Sequence, residues 1–260
     1  MTLKGRLDAA ARTMARVAQG WIPDTGVGQV LCYHLVGAGV GGPIDLDVPV
    51  FESHLAALVE RGDVRPLEEV VRTGRGVALT FDDAFQNFSG QVWPRLREAQ
   101  LPATLYVPTG FIDGSHGSPL SVAPNLPPCS WVQLQQMRDE GLGIGSHSAA
   151  HADMRFMAFS DAEKDVSMAK GRLEKMLGAG AAESFCFPRA LVGKAALRAA
   201  LTCHQFVVRG GGVSPRLTGG PIVRRTSVRA GGLPLDLLLG RFLVLEELLA
   251  DVVRQARAVR

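Results

Sequence analysis

Short apolar runs alternate with helix-like segments along most of the chain, and this alternation is the strongest constraint on the fold. Runs such as "QVLCYHLV", "GVALTF" and "PATLYVP" have the length and composition of buried strands. Segments such as "FESHLAALVERG" and "WVQLQQMRDEG" have a helical pattern, and Ser160 with Glu163 predicts a capping box at the start of another helix. The alternation predicts an α/β protein, a parallel sheet or a deformed barrel of about seven units in one domain.

Composition is that of a soluble globular protein. The chain has 260 residues, of which 47% are hydrophobic and 20% charged, enough for one large core. The formal net charge is +3 and the basic residues are interleaved with acids, which argues against nucleic acid as a partner. Cys32, Cys129, Cys186 and Cys203 form no CxxC pair, so reduced, partly buried thiols are expected rather than a cysteine zinc site.

The two ends of the chain differ from its middle. We expect a basic helical segment over residues 1–28, the barrel over 29–230 and a C-terminal helix over 231–260. The sequence shows no apolar stretch typical of a secretory signal or a membrane-spanning helix, which predicts a cytoplasmic protein. Both ends either pack on the barrel or contact a partner subunit or the inner face of a membrane as a peripheral attachment.

Four polar residues suited to metal chemistry fall at the ends of predicted strands. Asp82 and Asp83 follow "GVALTF", and "GSHSAAH" places His147 and His151 four residues apart after a later strand. In parallel α/β folds the carboxyl ends of strands share one rim, where active sites gather. One carboxylate with two imidazoles suits a divalent first-row metal, and the other carboxylate is then free to act as general base on water activated by the metal.

Each of these features alone has a simpler interpretation. Paired acids after a strand often cap a helix or lie in a solvated turn, and two of six histidines fall four residues apart by chance in some chains. Successive strand residues also point to opposite faces, so both acids serve one site only if the strand is already turning there. The placement of both features on one rim favours the catalytic interpretation.

Several motifs resemble those of polysaccharide deacetylases with NodB homology, carbohydrate esterase family 4. They are "LTFDDAFQNF", "PATLYVPTGF", "GIGSHSAAHADM" and "FCFPRA", in that order. The upstream "VLCYHLV" and "FESHLAALVERG" resemble the poly-N-acetylglucosamine deacetylase subgroup, and the resemblance extends from about residue 29 to about residue 228. It implies a deformed (β/α) barrel and metal-dependent hydrolysis of the N-acetyl group of an amino sugar.

The resemblance also implies roles for individual residues. Asp82 is expected to be the general base, and the backbone N–H of Arg189 is expected to help stabilise the oxyanion. The divalent ion is expected to be Zn2+, with Ni2+, Co2+ or Fe2+ as alternatives. The expected metal ligands are Asp83, His147 and His151.

The chain departs from the family pattern at several positions. Ala84 stands where a glycine usually follows the paired acids, and "FPRA" replaces a sequence like "YPYG", which reshapes the pocket expected to form from Phe187 and Pro188. No late "LxHD"-like segment supplies a histidine as general acid. His34 in "CYHL" is therefore expected to protonate the leaving amine, with His204 as a weaker candidate.

Arg224 or Arg225, in "IVRRTSV", is expected to reach the rim and orient Asp82, with Arg225 as the choice for contact with the substrate; at least one of the two is expected to face solvent. The complete prediction is an N-deacetylase acting on a glycan, a lipid- or nucleotide-linked amino sugar, or a glycoconjugate. An O-acetyl esterase with the same site and a catalytically silent glycan-binding barrel are the alternatives.

Overall fold

Seven parallel strands form a closed barrel, which confirms the predicted α/β barrel of about seven units. The computed structural model describes residues 28–210, 220–232 and 234–239. The barrel strands are Gln29–Tyr33 (β1), Val77–Phe81 (β4), Thr104–Val107 (β5), Gly143–Ser146 (β6), Ser184–Cys186 (β7), Phe206–Gly210 (β8) and Ile222–Ser227 (β9). They pair in that order, and β9 closes the barrel by pairing with β1. Leu35–Val36 (β2) and Asp45–Leu46 (β3) form a separate parallel pair.

Helices connect the strands around the barrel. They are Val48–Arg61 (α1), Leu67–Thr73 (α2), Trp93–Glu98 (α3), Thr109–Ile112 (α4), Trp131–Asp139 (α5), Phe159–Leu177 (α6), Lys194–Cys203 (α7) and Leu235–Leu238 (α8). A π-helical turn, Phe88–Val92, precedes α3, and a 3₁₀ turn, Pro188–Ala190, follows β7. Pro94 lies in the first turn of α3, which follows directly on the π-helical turn.

The predicted capping box of Ser160 and Glu163 is wrong. Helix α6 begins at Phe159 after Ala158, and no side chain caps its first turn. Ser160 therefore lies within the helix, one position beyond its start. A capping box is formed instead at α5, where Ser130 and Gln133 exchange side-chain to backbone hydrogen bonds.

Side chains alternate between the barrel interior and the surrounding helices. Tyr106 belongs to the inner cluster, together with residues such as Val30 and Val208. Its hydroxyl group lies 3.2 Å from Ser184 Oγ, and its ring fills the space beside Gly145. A Cβ atom at Gly145 would lie 2.3 Å from Tyr106 Cε1, so glycine is required there for the ring to fit.

Most of the two terminal segments lies outside the described residues. Of the predicted N-terminal segment, 1–28, only Gly28 is described, and α8 is the described part of the predicted C-terminal helix. Leu235 and Leu238 are buried in the apolar cluster that also contains Leu31 and Leu79. The domain boundaries remain predictions. Among the described residues, no helix has both the length and the apolar character needed to cross a membrane.

We expect Gly145→Ala to lower the free energy of unfolding by about 1–3 kcal/mol, because the added methyl group overpacks against the buried Tyr106 ring. Gly171→Ala is the control, since the Cβ position of Gly171 within α6 faces open space. That change should stabilise the protein by about 0.5–1 kcal/mol. Urea unfolding followed by circular dichroism measures both effects, and a wild-type midpoint for Gly145→Ala would contradict the tight packing.

Candidate active site

A left-handed turn at the end of β4 separates the two adjacent acids. Asp83 has φ 72° and Ala84 has φ 49°, so the chain leaves the extended conformation directly after Asp82. Strict alternation along an extended strand would direct Asp83 to the outer face of the barrel. The turn prevents this. Both carboxylates are buried, with 5% of Asp82 and 1% of Asp83 exposed.

Arg225 on β9 neutralises Asp82 inside the barrel. Its Nη1 donates to Asp82 Oδ1 at 2.7 Å, and its Nη2 donates to Oδ2, which makes a bidentate pair. Nη1 also donates to Thr80 Oγ1 at 3.1 Å, and the guanidinium lies 5.5 Å from the centre of the Tyr106 ring. Burial raises the pKa of Asp82, but the charges of Arg225, His147 and His34 and the hydrogen bonds from Arg225 together outweigh this and hold that pKa well below its ordinary value. Asp82 is therefore ionised at neutral pH.

Asp83, His147 and His151 converge on one point. Asp83 Oδ1 lies 3.2 Å from His151 Nε2 and 3.6 Å from His147 Nε2. Neither oxygen of Asp83 has a hydrogen-bond partner within the described part of the chain, although the carboxylate is buried. Bonds of about 2.0 Å to a shared metal would place such ligand atoms roughly 3.2–3.5 Å apart. The three donors therefore fit a divalent metal ion.

His147 is held in the orientation that a metal ligand needs. Its Nδ1 donates to the carbonyl oxygen of Cys186 at 2.8 Å, which leaves the lone pair of Nε2 directed to Asp83. Burial lowers the pKa of His147 to about 4, so the neutral imidazole is present at physiological pH. His147 Nε2 is also 3.7 Å from Asp82 Oδ2, which places the second carboxylate beside the same point.

His34, directly after β1, also borders Asp82. Its Nε2 lies 3.7 Å from Asp82 Oδ2, and 20% of its side chain is exposed, so it is accessible as a proton donor. Cys32 Sγ lies 3.7 Å from the same carboxylate oxygen, and burial raises the pKa of that thiol well above its ordinary value. His204 is elsewhere: it follows α7 and packs against Phe185, with the ring centres 5.3 Å apart.

The "FCFPRA" motif lies beside His147, because the Cys186 carbonyl group that holds His147 belongs to β7. The 3₁₀ turn after β7 has two residues with left-handed backbone, Arg189 at φ 56° and Ala190 at φ 60°. Pro188 is buried in this turn, whereas Arg189 is exposed at the rim. The backbone expected to supply the oxyanion donor therefore follows directly from the strand that orients a metal ligand.

Comparison with known proteins then decides the family. A family model described as polysaccharide deacetylase matches residues 70–205, just over half of the chain. The chain belongs to the polysaccharide deacetylase family. It is therefore a hydrolase of the deacetylase class, as the sequence predicted. No curated protein sequence matches the chain significantly.

Solved structures share the barrel at low sequence identity. The Streptococcus pyogenes deacetylase PplD, in complex with acetate, has a TM-score of 0.71 at 19% identity, covering 82% of this chain and 97% of that one. IcaB from Ammonifex degensii has a TM-score of 0.66 at 20% identity, covering 82% and 94%. A de-N-acetylase from Aggregatibacter actinomycetemcomitans has a TM-score of 0.67 at 17% identity, covering 82% and 99%. These likenesses concern the fold.

Two residues expected to contact the substrate of this deacetylase are placed differently. Phe187 is fully buried in the outer cluster, edge-on to Phe185 with ring centres 4.9 Å apart, because alternation along β7 sends both outward. Arg225 is only 4% exposed and is bound to Asp82. This contact is the one expected for the alternative considered for it, that of orienting the acid.

Three residues that contact the Asp82–Arg225 pair are not among the residues predicted from the sequence. They are Cys32, Thr80 and Cys186. Thr80 and Cys32 lie two residues before Asp82 and His34, so the period of a strand places each on the same face as its neighbour. That spacing is a signal which can identify them, whereas Cys186 is recognised only through its contact with Arg225.

Replacing Arg225 by methionine should lower the free energy of unfolding at pH 7 by about 3–5 kcal/mol, because it leaves a buried carboxylate unpaired. In the wild type the folded pKa of Asp82 is depressed, so its stabilising contribution is fully present above the unfolded value of about 3.9. In Arg225→Met, burial without the cation raises that pKa, so the carboxyl group gains a proton and the cost of the unpaired charge falls as the pH is lowered toward about 3.9. The difference between the two proteins should therefore shrink at acidic pH.

Urea unfolding of the wild type and of Arg225→Met at pH 7 and pH 4.5 measures this difference. Arg225→Lys is the matched control, since it keeps the charge but loses the bidentate geometry, and an intermediate loss is expected. An equal difference between wild type and Arg225→Met at both pH values would contradict the assignment.

Proposed function

We propose that this deacetylase removes the acetyl group of an N-acetylated amino sugar by metal-dependent hydrolysis. One observation carries the proposal: Asp83 is a buried carboxylate with no hydrogen-bond donor among the described residues, and it faces two imidazoles. Beside it, Asp82 already has a cationic partner in Arg225. A barrel that only binds glycans would not need a buried carboxylate without a partner beside a second carboxylate that is paired with a cation.

The residues divide the chemical work between them. A divalent ion, Zn2+ in the first instance, held by Asp83, His147 and His151 would polarise the acetyl carbonyl group and lower the pKa of a water molecule. Asp82, kept ionised and oriented by Arg225, accepts the proton of the attacking water. His34 donates a proton to the nitrogen of the departing amine.

Two further features support the site. The N–H of Arg189, in the turn after β7, is proposed to donate to the oxyanion that forms on the acetyl carbonyl oxygen. Burial around His147 and Asp83 excludes water from the ligand side, which strengthens electrostatic interactions there.

We propose an N-acetylhexosamine joined to a glycan, lipid or nucleotide carrier as the substrate. Two similar structures, a deacetylase in complex with acetate and a de-N-acetylase, support acetyl as the group removed.

Asp82→Asn and Asp83→Ala should separate catalysis from metal binding. Asp83→Ala removes a ligand, so the purified protein should lose both bound metal and activity. Asp82→Asn removes only the base, so metal content should be kept while acetate release falls about 10²–10⁴-fold. Elemental analysis and mass-spectrometric detection of acetyl loss from N-acetylglucosamine oligomers and nucleotide- or lipid-linked N-acetylhexosamines measure the two properties.

The wild-type result decides whether the proposal holds. A wild-type protein that binds no divalent metal, or releases acetate only from O-acetylated sugars, would overturn it. Circular dichroism of both variants confirms that they are folded.

His34→Asn should slow amide hydrolysis about 10²-fold, because the amine leaves poorly without a proton. Hydrolysis of 4-nitrophenyl acetate should change far less, since its phenolate leaves without protonation. The ratio of the two losses in one enzyme preparation is the measurement. Equal losses on both substrates would show that His34 acts in another way, and His204→Asn, at a position away from Asp82, serves as the control.

A further inference from the structure

Asp165 reaches from helix α6 to the loop that joins the two histidines of the site. Its Oδ1 accepts a hydrogen bond from the Ala149 N–H at 2.9 Å, and its Oδ2 accepts one from the Ala150 N–H at 3.0 Å. Each carboxylate oxygen thus holds one of two successive amides. Both amides lie between His147 and His151, so this contact spans the segment that sets their separation.

The loop adopts a conformation that needs such support. Ser148 has φ 67° and His151 has φ 48°, both in the left-handed region. For residues other than glycine this region costs about 1–2 kcal/mol each. Strained backbone of this kind persists only where surrounding contacts determine it. Within the loop, Ser148 Oγ accepts from the His151 N–H at 2.9 Å.

The start of α4 holds the opposite edge of the loop. The Thr109 N–H donates to the Ser148 carbonyl at 3.2 Å, and the Gly110 N–H donates to the Ala149 carbonyl at 3.0 Å. A Cβ atom at Gly110 would lie 2.5 Å from that Ala149 oxygen, so the approach is close. The carbonyl groups of Ser148 and Ala149 are thus held by α4, whereas the N–H groups of Ala149 and Ala150 are held by Asp165.

The two histidines differ in how their rings are held. His147 Nδ1 donates to the Cys186 carbonyl, whereas His151 Nδ1 is buried with no hydrogen-bond partner in the described ranges. The position of the His151 ring therefore depends on the backbone that carries it. Asp165 fixes that backbone from α6, whose buried residues include Ala162, Val166 and Ala169.

We infer that Asp165 is a positioning residue, which presets His151 relative to Asp83 and so raises the affinity of the site for a divalent metal. This inference rests on the proposed function, since it assumes that Asp83, His147 and His151 hold the metal. It assigns Asp165 no contact with the substrate or with the reacting atoms.

The test is the zinc affinity of metal-free protein, measured by competition with a chromophoric chelator. Asp165→Asn replaces one acceptor by a donor, and we expect it to weaken zinc binding about 10–100-fold. Asp165→Glu keeps both acceptor oxygens at a changed distance and should bind zinc with intermediate affinity. Asp161→Asn is the matched control, because Asp161 lies in the first turn of the same helix and is exposed, and it should bind zinc as the wild type does.

Thermal unfolding of the same metal-free proteins separates positioning from stability. A purely structural role would lower the unfolding temperature of Asp165→Asn and leave the zinc affinity of the folded protein unchanged, and this result would overturn the inference. If Asp165→Asn does not fold, wild-type affinity in Asp165→Glu would overturn it. If zinc binding by the protein does not depend on Asp83, the proposed function and the inference fail together. If zinc binding depends on Asp83 but not on Asp165, only the inference fails.

Discussion

Two adjacent carboxylates buried at one end of a closed barrel impose the constraint on which the site depends. A buried charge is costly unless it is paired. Asp82 is paired with Arg225, whereas Asp83 faces only the imidazoles of His147 and His151 within the described residues. The left-handed turn at Asp83 and Ala84 makes this division, because it directs neighbouring side chains to different partners. Two adjacent residues thus supply one carboxylate that is paired with a cation, Asp82, and one that remains available to bind a metal, Asp83.

Left-handed backbone conformations are concentrated at the candidate site. In the described part of the chain, six of the seven non-glycine residues with positive φ belong to three turns at the rim: Asp83, Ala84, Ser148, His151, Arg189 and Ala190; the seventh is Gln100. Ala84 and Ala190 occupy positions where the family pattern has glycine, and their positive φ gives the physical reason for that pattern. Contacts from outside the turns, such as the Asp165 carboxylate, hold one of these conformations in place.

Much of the fold and part of the site could be predicted from local patterns. The alternation of strand and helix patterns predicted the barrel, and strand ends that share one rim predicted that Asp83 meets His147 and His151. The capping box at Ser160 was wrong, since an N-cap residue has non-helical backbone angles and Ser160 lies inside the helix that begins at Phe159. Phe187 turned out to face the outer cluster, because the inward and outward sense of a three-residue strand is set by its neighbours.

By itself, the sequence determined the alternating architecture and the four polar residues at the strand ends, because both follow from periods of a few residues. Only the tertiary structure decided that Arg225 neutralises Asp82, 143 positions away in the chain. It also decided that Asp165 holds the loop before His151. Both contacts depend on how β9 and α6 lie against other elements of the barrel, and the physical reason is that no local pattern encodes packing between segments far apart in sequence.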